Sequence, residues 1–270
     1  MNNKSLSIRI CPDGLSFCVY SHGEDDSLDY FVYPMKPTIS LAANLKEALL
    51  TTPMLKEEYQ RVNVLVATPH FTLVPTREFD QDILKDIFQL NFPKEEAAHA
   101  SFNMLRRSDI TIVFGLNRNV HQLISDDFPR ARFYASASTL IEFFAEKSLA
   151  GEGKNMFAYL HGRELTLYAF NQGKLLFANS YASRHSSDDL YYIMQVWKQL
   201  GMDQLGDQLQ LVCDKDSTAT DKRMEELTAH ARKYLKRVAE INPQEDFQSK
   251  ITQGHPEIPY DLQTILVCGF

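Results

Sequence analysis

Short alternating or wholly apolar runs, each closed by a turn signal, dominate the start of the chain. Residues 5–10 and 15–20 flank Pro12-Asp13-Gly14, residue types that close a tight reversal, and residues 28–33 follow a polar connection over 21–27. Three antiparallel strands are expected, ending at Pro34. Leu41, Leu45, Ala48 and Leu49 then recur at helical spacing. A buried strand is expected over 62–67 and an extended stretch over 71–75. A helix is expected over 79–90, with Ile83, Leu84, Ile87 and Phe88 inward. Residues 102–107 read as a helix end whose Arg106 and Arg107 suit a last turn. A strand over 109–114, a helix from near Asn117, a strand over 131–135 and a helix over 138–149 complete this half.

The order of the opening then returns. Strands are expected over 155–160, 164–170 and 174–181, joined by turns at His161-Gly162-Arg163 and Asn171-Gln172-Gly173. An amphipathic helix follows, its start marked by Ser186-Ser187-Asp188-Asp189, where Ser186 and Asp189 have the spacing of a capping box. Leu190, Ile193, Met194, Trp197 and Leu200 fall on its apolar face. Next come a strand over 208–213 and a long helix over 220–241, with Met224, Leu227, Ala231, Leu235 and Val238 in one stripe. Residues 262–268 read as a last strand. The polar, glycine-containing stretch 151–154 is the expected boundary between a first lobe, 1–150, and a second, 155–270. Strands alternating with helices imply mixed sheets covered on both faces, an α/β protein in which a βββαβα unit occurs twice.

Composition narrows the function. A chain of 270 residues can bury a sizeable core, and a formal charge of −7 argues against a nucleic-acid-binding surface as its main feature. Lys222, Arg223, Arg232, Lys233, Lys236 and Arg237 cluster near the end, but Glu225, Glu226 and Glu240 among them give a solvated helix face. Met1-Asn2-Asn3-Lys4 leads directly into the first strand, so no signal peptide is expected, and no apolar run is long enough to span a membrane. Cys11, Cys18, Cys213 and Cys268 form no CxxC pair, and a reducing cytoplasm with buried thiols is expected. The eight histidines show no metal-ligand spacing, and no P-loop or GxGxxG occurs.

A βββαβα unit used twice is the ribonuclease-H-like plan. Residues 6–20, Phe71-Thr72-Leu73-Val74-Pro75 and residues 156–181 carry a resemblance to a bacterial family of uncharacterised proteins with an actin-like ATPase fold. The last of these, strand, His-Gly, strand, Gln-Gly-Lys, strand, is similar to the second lobe of that superfamily's cell-division and pilus-assembly branch. The resemblance implies two lobes with a cleft between them. It also implies nucleotide phosphates held by backbone N–H groups in one tight turn per lobe, with an Asp before a Gly to hold hydrated Mg²⁺.

The signature positions depart from that pattern. In the first turn Pro12 removes a donor and Asp13 adjoins Gly14 directly. In the second, His161 stands where an Asp precedes the Gly. At the adenosine position Cys213-Asp214-Lys215-Asp216-Ser217-Thr218 has no glycine. Asp13, Gly14, His161, Gly162, Arg163, Asp214 and Asp216 are the candidate ligand-binding residues, joined by Arg184 and His185 if an anion binds near the second turn. No catalytic residue or metal ligand is assigned. The expected function is a pseudo-ATPase, a non-catalytic binding or assembly module acting through a protein partner or self-association. The alternative is a divergent ATPase or phosphotransferase using Mg-ATP in the inter-lobe cleft, with Asp13 positioning the metal and Asp214 or Asp216 near the substrate. A nuclease of the same superfamily ranks last, because the strands supply few carboxylates.

Overall fold

In the computed structural model, residues 4–12, 14–21, 27–105, 107–214, 218–247, 255 and 257–268 are described. They fall into two units, Met1–Leu105 with Asp109–Ser138, and Arg106–Ser108 with Thr139–Phe270. In the first, β1 (Lys4–Cys11), β2 (Gly14–Ser21) and β3 (Ser27–Tyr33) form an antiparallel meander. Helix α1 (Leu41–Thr51) leads to β4 (Arg61–Val66), which adds parallel to β1. Ser40 caps α1 by accepting the Ala43 N–H. Later α3 (Arg118–Asp127) leads to β8 (Arg132–Ala135), parallel to β4, and the sheet order is β3-β2-β1-β4-β8.

The second unit repeats this order. Strands β9 (Lys154–His161), β10 (Glu164–Asn171) and β11 (Lys174–Ala182) form the meander, and α5 (Ser186–Gln199) leads to β12 (Gln208–Cys213). Helix α6 (Thr218–Ala231) then leads to β13 (Arg237–Glu240), giving the order β11-β10-β9-β12-β13. Positive φ at both Gln172 and Gly173 closes the β10–β11 hairpin with the twist that two-residue loops favour. Helix α4 (Ser136–Ser148) passes from one unit into the other. Its Phe144 stacks on Phe157 of β9, with ring centroids 4.2 Å apart, inside an aromatic core that includes Phe143, Phe247 and Tyr260.

Four expectations are corrected. Residues 102–107 are not a helix end: β6 (Ala98–Leu105) pairs with β7 (Ile110–Asn117), which pairs with β5 (Phe71–Pro75), a separate three-stranded sheet inserted into the first unit. Over 79–90 only α2 (Leu84–Asn91) is α-helical, and Ile83 is exposed while Phe88 is buried. The stripe over 220–241 breaks after Ala231, because the chain turns back to add β13 beside β12, and a four-residue strand leaves no period of its own. Residues 262–268 belong to a helix, α8 (Tyr260–Cys268), which follows the short α7 (Pro243–Asp246). Tyr260, Asp261, Leu262, Gln263, Thr264 and Ile265 are all buried. A helix meets its own backbone needs, so a segment buried on every side reads as strand or helix alike from its apolar run. Among the described residues, no helix is long and apolar enough to cross a membrane.

In the first unit His99 of β6 stacks on His121 of α3, ring centroids 3.8 Å apart, and His121 stacks on Phe133 of β8 at 4.6 Å. Burial, then the Arg118 charge, lowers the His99 pKa below its ordinary 6.5; burial, then His99 itself, lowers that of His121. A lowered folded pKa means that the unfolded chain binds more protons between that value and 6.5. This part of the stability is therefore complete above the ordinary value and is lost as the pH falls through the window. Amide hydrogen exchange in β6 and β7, corrected for intrinsic rates, is expected to show protection falling with acidification. In His121→Phe the fall should be smaller. Protection independent of pH would mean that the stack does not titrate with folding.

Candidate functional site

The two turns that would hold phosphate are built differently. In the first unit β1 and β2 close with Cys11 opposite Gly14. The Cys11 thiol lies 3.4 Å from the Gly14 carbonyl, and a guanidinium N–H of Arg9 lies 3.6 Å from its sulfur. A Cβ on Gly14 would sit 2.8 Å from that sulfur, so the thiol occupies the inside of the turn. Asp13, like Asp216, lies outside the described residues. In the second unit Gly162 and Arg163 form a two-residue loop, with Gly162 at φ 52° in the left-handed region that glycine enters without strain. The His161 ring stacks on Tyr159 at 4.8 Å, and its Nε2 lies 3.6 Å from a Glu164 carboxylate oxygen.

Behind the Gly162 loop lies a buried ion pair. Asp189, fully buried, accepts from Arg223 Nε at 2.7 Å and from a second guanidinium nitrogen at 2.6 Å. The remaining guanidinium arm donates to the Gly162 carbonyl at 3.0 Å. Ser183 Oγ donates to Asp189 Oδ1 at 2.7 Å, and the Ser183 N–H donates to the Arg163 carbonyl at 2.9 Å. One cation thus joins the turn, the start of α5 and α6. The capping box expected at Ser186 is absent: His185 is the N-cap without a side-chain bond, and the Ser186 hydroxyl donates to Glu226 at 3.0 Å. Asp189 faces inward because α5 packs against α6, and the ion pair takes the carboxylate that capping would have used.

Asp214 follows β12 and is also buried. The Tyr159 hydroxyl sits 2.8 Å from each of its oxygens, and the Tyr260 N–H, at the start of α8, donates to Oδ1 at 2.9 Å. The Asp214 N–H donates to the Leu160 carbonyl at 3.2 Å, continuing the β9–β12 ladder. The Tyr260 hydroxyl in turn donates to Asp246, which pairs with Lys147 of α4. Asp214 therefore ties the sheet to the start of α8.

The Asp189 and Asp214 carboxylates of the second unit are engaged by the protein itself. A carboxylate that holds a metal through water needs free lone pairs aimed at solvent, whereas those of Asp214 receive protein donors. The carboxylate the turn does present, Glu164, faces an imidazole. Among the described residues no three His, Cys, Asp or Glu side chains gather to hold a metal. The structure brings His161, Gly162 and Arg163 together by sequence and links Arg163 to Ser183, next to Arg184 and His185. Tyr159, Ser183, Asp189, Arg223 and Tyr260 escaped the sequence reading. Asp189 read as a helix-start carboxylate, and Arg223 was one cation in a run of charges.

The family model described as Protein of unknown function (DUF3822) matches residues 1–238. A Bacteroides thetaiotaomicron protein with actin-like ATPase fold and unknown function is 31% identical, with a TM-score of 0.85; the alignment covers 99% of this chain and 96% of that one. A chain of the PilM-PilN type IV pilus biogenesis complex is 12% identical, with a TM-score of 0.54 and 97% of both chains covered. No curated protein matches this chain. The actin-like fold is thereby established.

Arg223→Ala leaves the Asp189 charge buried without its partner and is expected to cost about 3–5 kcal/mol. Arg223→Lys, which keeps the charge and loses the planar fork, should fall between. Guanidinium unfolding followed at the one tryptophan, Trp197, measures both. A loss under about 1 kcal/mol for the alanine variant would mean that water reaches Asp189 and that the pair is worth only what a surface pair is.

Proposed function

We propose that this chain, which belongs to the DUF3822 family, is a binding or assembly module of the actin-like fold whose second-unit turn serves structure rather than phosphoryl transfer. The observation that carries the reading is Asp214: both oxygens of this buried carboxylate are engaged by Tyr159 and the backbone of Tyr260. Recruiting it to a metal would strand a buried hydroxyl and a buried N–H, at about 1–3 kcal/mol each. The Gly162 carbonyl is likewise fixed by Arg223. The fold is compatible with work by association, since a chain of this architecture occurs in the PilM-PilN complex.

The place of action proposed with this reading is a reducing cytoplasm. Cys11, Cys18 and Cys213 form no disulfide, and burial, then Asp29, pushes the Cys18 thiol up to about 12. A thiol so placed behaves as a small apolar side chain rather than a nucleophile.

Isothermal titration of the full chain with ATP and Mg²⁺ tests the reading, and flat heats are expected. Micromolar binding that is lost in Asp13→Ala would favour the alternative, a divergent Mg-ATP-dependent ATPase or phosphotransferase, and would overturn the proposal.

A further inference from the structure

One face of α5 in the second unit, with Leu190 and Met194 only partly buried against the core, borders an open groove. Ser187, Leu190, Tyr191, Met194, Gln195 and Lys198 recur at three- and four-residue spacing along the helix and line a groove of about 730 Å³. The opposite face, with Ile193 and Val196, is buried in the core against the sheet. Trp197 and Met202 are almost fully buried and lie deepest in the groove; Tyr191 and Tyr234, 59% and 56% exposed, stand at its sides. Exposed aromatic side chains beside an apolar floor are the composition of an interface centre, and Met194 and Met202 let such a floor adjust to its guest.

Basic residues stand beside this groove. Lys233 and Lys236 flank Tyr234, and the Lys236 N–H donates to the carbonyl of Gln204, itself a lining residue, at 2.9 Å. Lys198 lines the groove, and Arg232 is exposed on the same turn as Lys233. None of Lys198, Arg232, Lys233 and Lys236 forms an ion pair among the described residues. The one carboxylate that lines the groove, Asp203, accepts the Gly206 N–H at 2.7 Å and so shapes its own loop. Lys198 in the lining, with Lys233 and Lys236 close to Tyr234 in sequence, offers a local complement for negative charge in a protein of net charge −7.

We propose that the α5 groove docks an acidic amphipathic helix of a partner protein, with the partner's apolar stripe on Leu190, Met194 and Met202 and its carboxylates facing Lys198, Lys233 and Lys236. The length of the α5 stripe suits an apolar face repeating at helical spacing. A nucleic acid fits less well, because its phosphates would reach the cations only by laying charge along the apolar floor. This goes beyond the reading of the turns and stands whether or not nucleotide binds there.

Trp197 reports on the groove directly, being the chain's one tryptophan. The full chain is titrated with tryptophan-free helical peptides about four turns long, with Leu or Phe at i, i+3, i+4 and i+7 and Glu elsewhere. A shift in Trp197 emission is expected, with a Kd in the range of tens of micromolar that weakens as salt rises. Tyr191→Ser combined with Tyr234→Ser should weaken binding at least about tenfold. Lys233→Glu combined with Lys236→Glu should weaken it and flatten the salt dependence. These four side chains are exposed, so the variants are expected to keep the wild-type circular dichroism. Emission unmoved at millimolar peptide overturns the proposal, as does equal binding by a scrambled peptide of the same composition or by a Lys-for-Glu version. Tighter binding by oligothymidylate, or affinity unchanged in both double variants, also overturns it.

Discussion

A guanidinium held between a buried carboxylate and a turn carbonyl organises the second unit. Arg223 spends two nitrogens on Asp189 and one on Gly162. Removing two charges from water costs several kcal/mol per ion, and only near-ideal geometry with further hydrogen bonds recovers that. Here the fork is bidentate, the third arm has a carbonyl, and Ser183 adds a donor to Asp189. The pair is thus better read as a device for position than as net stability. It fixes where α5 begins and how it lies against α6, and it holds the Gly162 loop from behind. The groove on the outer face of α5 inherits its direction from that same contact.

Duplication explains the rest of the architecture and also where it fails to repeat. Each unit has three antiparallel strands, a helix, and two parallel strands in the same sheet order. In the second unit β12 is followed by α6 without an intervening sheet. In the first, the chain leaves β4 to build the β5-β7-β6 sheet before returning through α3 to β8. The insertion brings its own core contacts: Phe88 of α2 lies so close to Gly115 of β7 that a Cβ there would approach the ring to 2.2 Å. Half-buried Asn103 of β6 ties this sheet back to the main one, donating to the Phe133 carbonyl at 2.8 Å and accepting the Ala135 N–H at 2.9 Å.

The sequence made the meanders legible because period-two alternation bounded by Pro-Asp-Gly or Gln-Gly is a local signal, and hairpins form between neighbours in sequence. It concealed β13 and β6 for opposite reasons. Arg237–Glu240 is too short to show a period and followed an uninterrupted helical stripe. In residues 102–107 the two arginines outweighed a strand whose pairing partner lies further along the chain. Helix α8 was misread because its polar residues, Asp261, Gln263 and Thr264, are buried like its apolar ones: Gln263 donates to the Ile258 carbonyl, and the Thr264 hydroxyl bonds the Asp261 carbonyl and the Thr139 hydroxyl. Composition does not distinguish such a helix from a buried strand. The turn residues were found where the alternation ended, but the partners that decide their chemistry, Arg223 and Tyr260, lie 61 and 46 residues from the groups they bind. Nothing periodic marks a contact at that distance.

The fate of the carboxylates bears most directly on function. A site that turns over phosphate must keep lone pairs and backbone N–H groups directed at an empty space, a standing cost that folding alone never repays. In the second unit the corresponding groups are satisfied from within: Asp189 by a guanidinium and a hydroxyl, Asp214 by a phenol and a backbone amide, and the Gly162 carbonyl by Arg223. Each bond occupies a group that a metal or phosphate site would need free. With the Tyr159 hydroxyl and the Tyr260 N–H donating to Asp214, binding a metal there would require another acceptor for both.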